Sequence, residues 1–201
     1  MSEPMAIVAA LPEREFVRPE DLGVYVKYAE KILRNQAKEG HLHHIHGNIY
    51  YKGVQTRYGM TQPRTEDVIA AVLRDHSYGY TSWTVTNYLG ISTQVPARTH
   101  IAVTGSYKPV IKSVHVSNRS NLLRRSLSVM EINVLEILRN YPSFVEYEWS
   151  EALEGIKAAI EYAKDSPTWG FDIDNLVGVV AAEKHQNTRV MFDRFYNDFT
   201  N

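Results

Sequence analysis

Residues 24–38, VYVKYAEKILRNQAK, and the run HLHHIHGNIYYK at 41–52 decide how the first third of this 201-residue chain is read. Each helical step rotates by about 100°, so residues three and four apart share a face. That spacing gathers Lys27, Lys31, Arg34 and Lys38 on one side of a helix. Tyr25, Val26, Ala29, Ile32 and Leu33 make its apolar stripe, and Tyr28 and Asn35 stay outside. Beyond Gly40, residues 41–52 read as two short strands joined at Gly47-Asn48, residues that tolerate the positive φ of a two-residue hairpin turn. Upstream, residues 4–11 predict a short first helix and Phe16-Val17-Arg18 an extended piece. Pro19 opens a second short helix that Gly23 ends. Three short helices followed by a hairpin is the order of a winged helix-turn-helix, a module that lays one helix in a DNA groove.

The expected DNA-binding set is therefore Lys27, Tyr28, Lys31, Arg34, Asn35 and Lys38 on the helix, with His43, His44, His46 and Asn48 in the wing. The other reading of the same charges is a solvated face that only keeps a surface helix in water. Context favours DNA, because the helix stands in the module's order. The histidine run also invites a zinc reading, since neutral imidazole is a common ligand. No cysteine is present to complete such a site, and no carboxylate follows closely after Glu39. Phosphate contact, or simple exposure, is the expected role of these rings, and neither a metal nor a cofactor is expected. If the contact is ionic, protonation of the rings should strengthen it.

Composition bounds the rest. Apolar residues make up 44% of the chain, normal for a packed protein, and no window of about 18 apolar residues is available to span a membrane. Residues 1–11 lack a basic start and a long apolar run, so no secretion signal is expected, and the absence of cysteine suits a reducing cytoplasm. Net charge is −1, but it is unevenly spread. Between residues 98 and 125 stand Arg98, Lys108, Lys112, Arg119, Arg124 and Arg125 with no acid, whereas residues 126–201 are strongly acidic. The six basic groups form a second basic patch that could meet nucleic acid, be solvated, or match the acidic tail within the protein.

The expected organisation is α+β. A winged helix-turn-helix occupies residues 1–53, a linker with Gly59 and Pro63 occupies 54–64, and an α+β domain with a helical C-terminal part occupies 65–201. Thr65-Glu66-Asp67 suits the start of a helix with Val68, Ile69, Val72 and Leu73 inside. Residues 82–89 predict a second helix that stops at Gly90. Two β-rich runs, 100–103 and 110–116, flank Gly105-Ser106. Three helical patterns follow over 129–140, 151–164 and 175–199, and most of their aromatic residues should be core. No enzyme is expected. The remaining histidines are scattered and no nucleophile elbow, phosphate loop or His-Glu-x-x-His pattern occurs. The acid pairs Glu146/Glu148 and Asp172/Asp174 read as surface groups, and Ser92-Thr93-Gln94 reads as a helix-to-strand connection whose side chains satisfy free backbone groups.

Leu89-Gly90-Ile91-Ser92-Thr93-Gln94-Val95-Pro96-Ala97-Arg98 resembles the signature of the AbiEi-like antitoxin family. Lys38-Glu39-Gly40-His41-Leu42 with Gly47-Asn48-Ile49-Tyr50-Tyr51 is similar to that family's wing, and the two matches fall in the family's order. The resemblance spans roughly residues 15 to 140. It implies a cytoplasmic antitoxin of a toxin–antitoxin or abortive-infection operon, with a winged helix that binds double-stranded DNA at its own promoter. It also implies a nucleotidyltransferase-like toxin as the counterpart. The alternative carried with it is a protein-interaction or adaptor module whose winged helix does not bind DNA.

Overall fold

Apolar spacing at Ala29, Ile32 and Leu33 builds the longest helix of the first half of the chain, and these three side chains are fully or almost fully buried. The computed structural model describes residues 3–108, 111, 113–166 and 168–200. It falls into two units, Met1–Arg74 and Asp75–Asn201, and each is mixed α+β.

In the first unit, α1 (Glu3–Ala9), β1 (Glu15–Val17) and a 3-10 turn (Pro19–Leu22) precede α2 (Val26–Lys38). Next come β2 (His43–His46), β3 (Ile49–Lys52), the two-residue strands β4 (Gln55–Thr56) and β5 (Gly59–Met60), and α3 (Thr65–Val72). β1, β3 and β2 form an antiparallel sheet in that order, with Val17 and His44 both opposite Tyr50. Val8, Val17, Ile32, Leu33, Leu42 and Tyr50 pack together as its core, each large apolar side chain contributing about 1.5–3 kcal/mol. Lys52 reaches back from β3, its ammonium donating to the carbonyls of Val8 (3.0 Å), Ala9 (2.9 Å) and Leu11, and so caps the end of α1.

Three expectations are corrected by this unit. Tyr25 and Val26 are 71% and 46% exposed rather than part of the stripe, because Tyr25 precedes the first helical residue and the opening turn overhangs the core. Residue Gln36 takes a buried place instead. Residues 54–64 are not a featureless linker, since β4 and β5 pair and the ribbon is closed by two bonds, Thr61 N to the Val54 carbonyl at 3.0 Å and Val54 N to Thr61 Oγ1 at 2.9 Å. Gly53 makes that fold-back feasible, as a Cβ there would collide with the Thr61 carbonyl. Helix α3 belongs to this unit and not to the next: Arg18 Nη2 donates to the Ala71 carbonyl at 2.7 Å.

The second unit contains β6 (Tyr78–Tyr80), α4 (Ser82–Tyr88), β7 (Thr99–Thr104), β8 (Val114–Arg119) and a 3-10 turn (Leu122–Ser126). Four helices follow: α5 (Val129–Asn140), α6 (Trp149–Ala163), α7 (Ile173–Ala181) and α8 (Gln186–Thr200). β6 pairs antiparallel with β7, and β7 pairs parallel with β8. The β run expected at 110–116 thus begins at Val114; Val110 and Lys112 lie outside the described residues. Helix α5 has the expected bounds and is set by a capping box, with Ser128 Oγ accepting from Glu131 N at 3.1 Å and Glu131 Oε2 accepting from Ser128 N at 2.7 Å. Residues 129–138 are all buried, so the expected helical tail is instead the centre of the unit, packed on β6, α4 and α8. Gly79 permits the close approach of β6, since a Cβ there would stand 2.6 Å from Ile132 Cγ2. The pattern read as one helix over 175–199 is broken into α7 and α8 at residues 182–185, where Glu183 turns inward to meet buried cations. No helix among the described residues is long and apolar enough to cross a membrane.

Candidate functional site

Helix α2 divides cleanly by face. Ala29, Ile32, Leu33 and Gln36 are buried, while Lys27, Tyr28, Lys31, Arg34, Asn35 and Lys38 are all exposed. Its basic end borders a cleft of about 610 Å³ whose lining includes Glu30, Arg34 and Lys38 from the helix and His44, Asn48 and Tyr50 from the hairpin. The structure therefore brings the second half of the expected helix set beside part of the wing set. Glu30 is the one carboxylate on that lining, and it faces a surface otherwise suited to anions.

The hairpin departs from the simple turn. His46 pairs with Ile49 and His44 with Tyr50, so Ile45 is an extra residue that bulges β2. Only Gly47 takes a positive φ, +54°; Asn48 does not. The three histidines of this hairpin have different surroundings. Nε2 of His44 donates to the Gly47 carbonyl at 2.8 Å, and its ring lies 5.2 Å from that of Tyr50. Half-buried His43 is turned toward the β4–β5 ribbon, with Nε2 3.3 Å from the Met60 carbonyl and Nδ1 3.2 Å from Gln62 Nε2, so both of its ring nitrogens are engaged within the protein. His46 is exposed. Among the described residues no three His, Asp or Glu side chains gather as a metal site.

The second basic patch does not form as one surface. Arg98, Lys108 and Arg125 are exposed, and Lys112 lies outside the described residues. Arg124 is wholly buried: Nη1 donates to Glu136 Oε1 and Nε to Glu183 Oε1, both at 2.6 Å. Arg119 is only 16% exposed and grips Glu136 with two bonds, 2.8 Å from Nε and 2.5 Å from Nη2. Arg119 and Arg124 are thus removed from the nucleic-acid candidates. Thr81 Oγ1 donates to Glu136 at 2.7 Å, and Asn121 Nδ2 donates to Glu183 at 2.9 Å. Burial alone would raise the pKa of Glu136, but the Arg119 bonds and charge, the Arg124 charge and the Thr81 hydroxyl overcome it and hold the carboxyl at about 2. Burial likewise lowers the pKa of Arg124, while Glu136 and Glu183 outweigh it and raise the value.

Ser92-Thr93-Gln94 clasp a carboxylate. The backbone N and Oγ1 of Thr93 both donate to Glu146 Oε2, and Gln94 Nε2 donates to Oε1 at 3.1 Å. Ser92 Oγ accepts from Gln94 N at 3.0 Å, the local backbone role expected of this segment. The Thr93 amide first, then Gln94, holds the exposed Glu146 carboxyl at about 2.

No family of known proteins matches the chain, and no curated protein matches it either. Among solved structures it is similar to the crystal structure of RV2827C protein from Mycobacterium tuberculosis, at 13% identity and a TM-score of 0.48, covering 96% of this chain and 75% of that chain.

Three polar groups central to this geometry escape a reading of the sequence: Glu136, Glu183 and Gln36. Glu136 sits on an apolar helix pattern, where its only local sign is its position among buried neighbours. Glu183 has no such sign, since its partner Arg124 is 59 residues away. Gln36 is buried beneath the helix end, donating to Glu39 Oε2 at 2.7 Å and meeting His41 Nδ1 at 3.1 Å.

Proposed function

We propose that the first unit is a winged helix-turn-helix and that it binds double-stranded DNA with α2 in the major groove and the β2–β3 turn as the wing. One observation carries this reading: the four cations at Lys27, Lys31, Arg34 and Lys38 are exposed together on the face opposite the buried Ala29, Ile32 and Leu33. On binding, such cations displace counterions condensed on the phosphates, which supplies affinity regardless of sequence. Tyr28 and Asn35 lie between them for further contacts, and Arg34 and Lys38 share the cleft with His44 and Asn48. His43 contributes less than the other wing histidines, because its ring is engaged on the ribbon side.

Together with the resemblance of Leu89 to Arg98 and of the wing segment to the AbiEi-like antitoxins, this makes the chain a DNA-binding antitoxin that regulates its own operon. The counterpart in that reading is a nucleotidyltransferase-like toxin, and the place of action is the cytoplasm. Replacing Lys27, Lys31, Arg34 and Lys38 by Glu is the test. Affinity for promoter DNA should collapse, and the slope of log affinity against log salt should become shallower by about 0.9 for each phosphate that is no longer neutralised. An unchanged affinity and slope would remove DNA from the reading.

A second reading has its own observation. Val24, Tyr25, Val26 and Tyr28 are all exposed at the start of α2, an apolar cluster that suits a protein partner. Under this adaptor reading, the charge reversal leaves DNA behaviour unaltered, while Tyr25→Ser and Val26→Ser abolish capture of the toxin.

A further inference from the structure

We propose that a polar cavity in the second unit, where β8 ends beside the α7–α8 connection, binds a phosphate-type oxyanion, either inorganic phosphate or the phosphate of a mononucleotide. The cavity measures about 240 Å³ and is lined by Arg119 from β8, Asn121 after it, Arg139 from the end of α5, and Lys184 and His185 before α8. The one carboxylate on its wall, Glu183, is already committed: Oε1 accepts from Arg124 and Asn121, and Oε2 lies 4.0 Å from Arg139 Nη1.

Charge balance is the physical basis. Among the described residues, Arg119, Arg124 and Arg139, with the exposed Lys184, stand against Glu136 and Glu183, before any proton on His185 is counted. Arg189 adds a further cation, with Nη1 donating to the Glu183 carbonyl at 2.8 Å. Buried charge is costly unless it is compensated, so three guanidiniums at 0–26% exposure against two carboxylates, with the exposed Lys184 at the rim, favour an anion in the cavity. Arg124 Nη2 shows the same surplus of donors, being buried with no hydrogen-bond partner among the described residues.

Two neighbours feel burial first and the nearby cations second. Burial and then Arg119 lower the pKa of Arg139, and burial and then Arg139 lower that of His185, against the opposing pull of Glu136 and Glu183. An anion in the cavity offsets the part due to the arginines and so moves both values up. The amides of Asn118 and Asn121 already donate to the Tyr107 carbonyl, and to the Val179 carbonyl and Glu183, so the cations provide the recognition. A duplex backbone is a poorer fit than a small oxyanion, because Arg119 and Arg139 are recessed rather than raised.

The test uses the full chain in chloride buffer, titrated with inorganic phosphate by calorimetry while the His185 ring is followed by NMR. One saturable site is expected, with the His185 midpoint moving up on binding. Charge-assisted hydrogen bonds set the expected loss, so Arg139→Ala should weaken binding roughly tenfold or more. Lys184→Ala, at an exposed position that folding tolerates, should weaken it severalfold. A parallel titration with a mononucleotide separates the two sources: equal affinity assigns the site to the free ion, and tighter binding assigns it to a nucleotide. The proposal is overturned if phosphate gives no saturable binding and leaves His185 unmoved, or if Lys184→Ala binds as tightly as the parent. It is also overturned if a short duplex, and not phosphate, produces the His185 response.

Discussion

Helix α2 and the segment from Arg119 to Arg124 both display closely spaced cations, yet one set is exposed and the other is largely or wholly withdrawn from solvent. The difference lies in what each helix or strand meets. Lys27, Lys31, Arg34 and Lys38 are on the face of α2 opposite its buried residues, and among the described residues none of them makes an ion pair, with Glu30 the carboxylate at the cleft edge. Arg119 and Arg124 instead face α5 and the α7–α8 connection, which bring Glu136 and Glu183 to 2.5–2.6 Å. Local charge density therefore describes a surface only where no distant carboxylate is folded onto it. The first cluster is free to serve a partner, while the second holds its own unit together.

The largest test of that contrast removes the shared carboxylate. Glu136→Gln leaves Arg124 wholly buried with half of its ionic pairing gone, and Arg119 with none. Breaking a buried pair by deleting one partner costs about 3–5 kcal/mol, so urea unfolding should show the second unit losing most of its stability. Lys31→Gln on α2 is the control, and its effect should stay within about 0.5 kcal/mol. Comparable losses in the two variants would dissolve the distinction between the clusters.

Acid separates the clusters next. A carboxyl held at about 2 in the folded state, against an ordinary 4.5, contributes stability that is present in full above pH 4.5 and is lost as pH falls toward 2. For Glu136 that contribution is roughly 3 kcal/mol, from about 1.4 kcal/mol for each pH unit. Equilibrium unfolding followed from pH 6 to pH 2 should show this decline, and Glu136→Gln should flatten it. Among the described residues the cations of α2 pair with no carboxylate, so their replacement leaves the acid profile of the second unit unchanged.

Much of this architecture is legible in the sequence, and the limits are physical. Helices α2 and α5 declare themselves because apolar spacing and capping are local, with Ser128 and Glu131 only three residues apart. The exposed face of α2 follows from the same spacing. Pairing across long separations leaves no such trace: Arg124 finds Glu136 12 residues on and Glu183 59 residues on. His43 is diverted by Met60 and Gln62, residues in a stretch whose glycine and proline suggest only a linker. Parallel pairing of β7 with β8 is equally hidden, since Gly105-Ser106 resembles the turn of a hairpin. Periodicity reveals which face a helix buries, but not which distant ion will neutralise a charge.

The smallest effect concerns Glu146, where a short sequence motif makes a contact outside the core. Thr93 and Gln94 bind this carboxylate across more than fifty residues, yet Glu146 is exposed. Exposed pairs contribute little to folding, so Glu146→Gln should barely shift the unfolding midpoint. Its titration should move more clearly. Carboxyl NMR should place Glu146 near 2, and Gln94→Ala should raise that midpoint toward 4.5 while the Thr93 amide, a backbone donor, retains part of the depression. A midpoint that stays put in Gln94→Ala would show that Thr93 alone holds the carboxylate. A large loss of stability in Glu146→Gln would instead make the clasp structural, and the contrast between buried and exposed ionic contacts would no longer divide this molecule by burial alone.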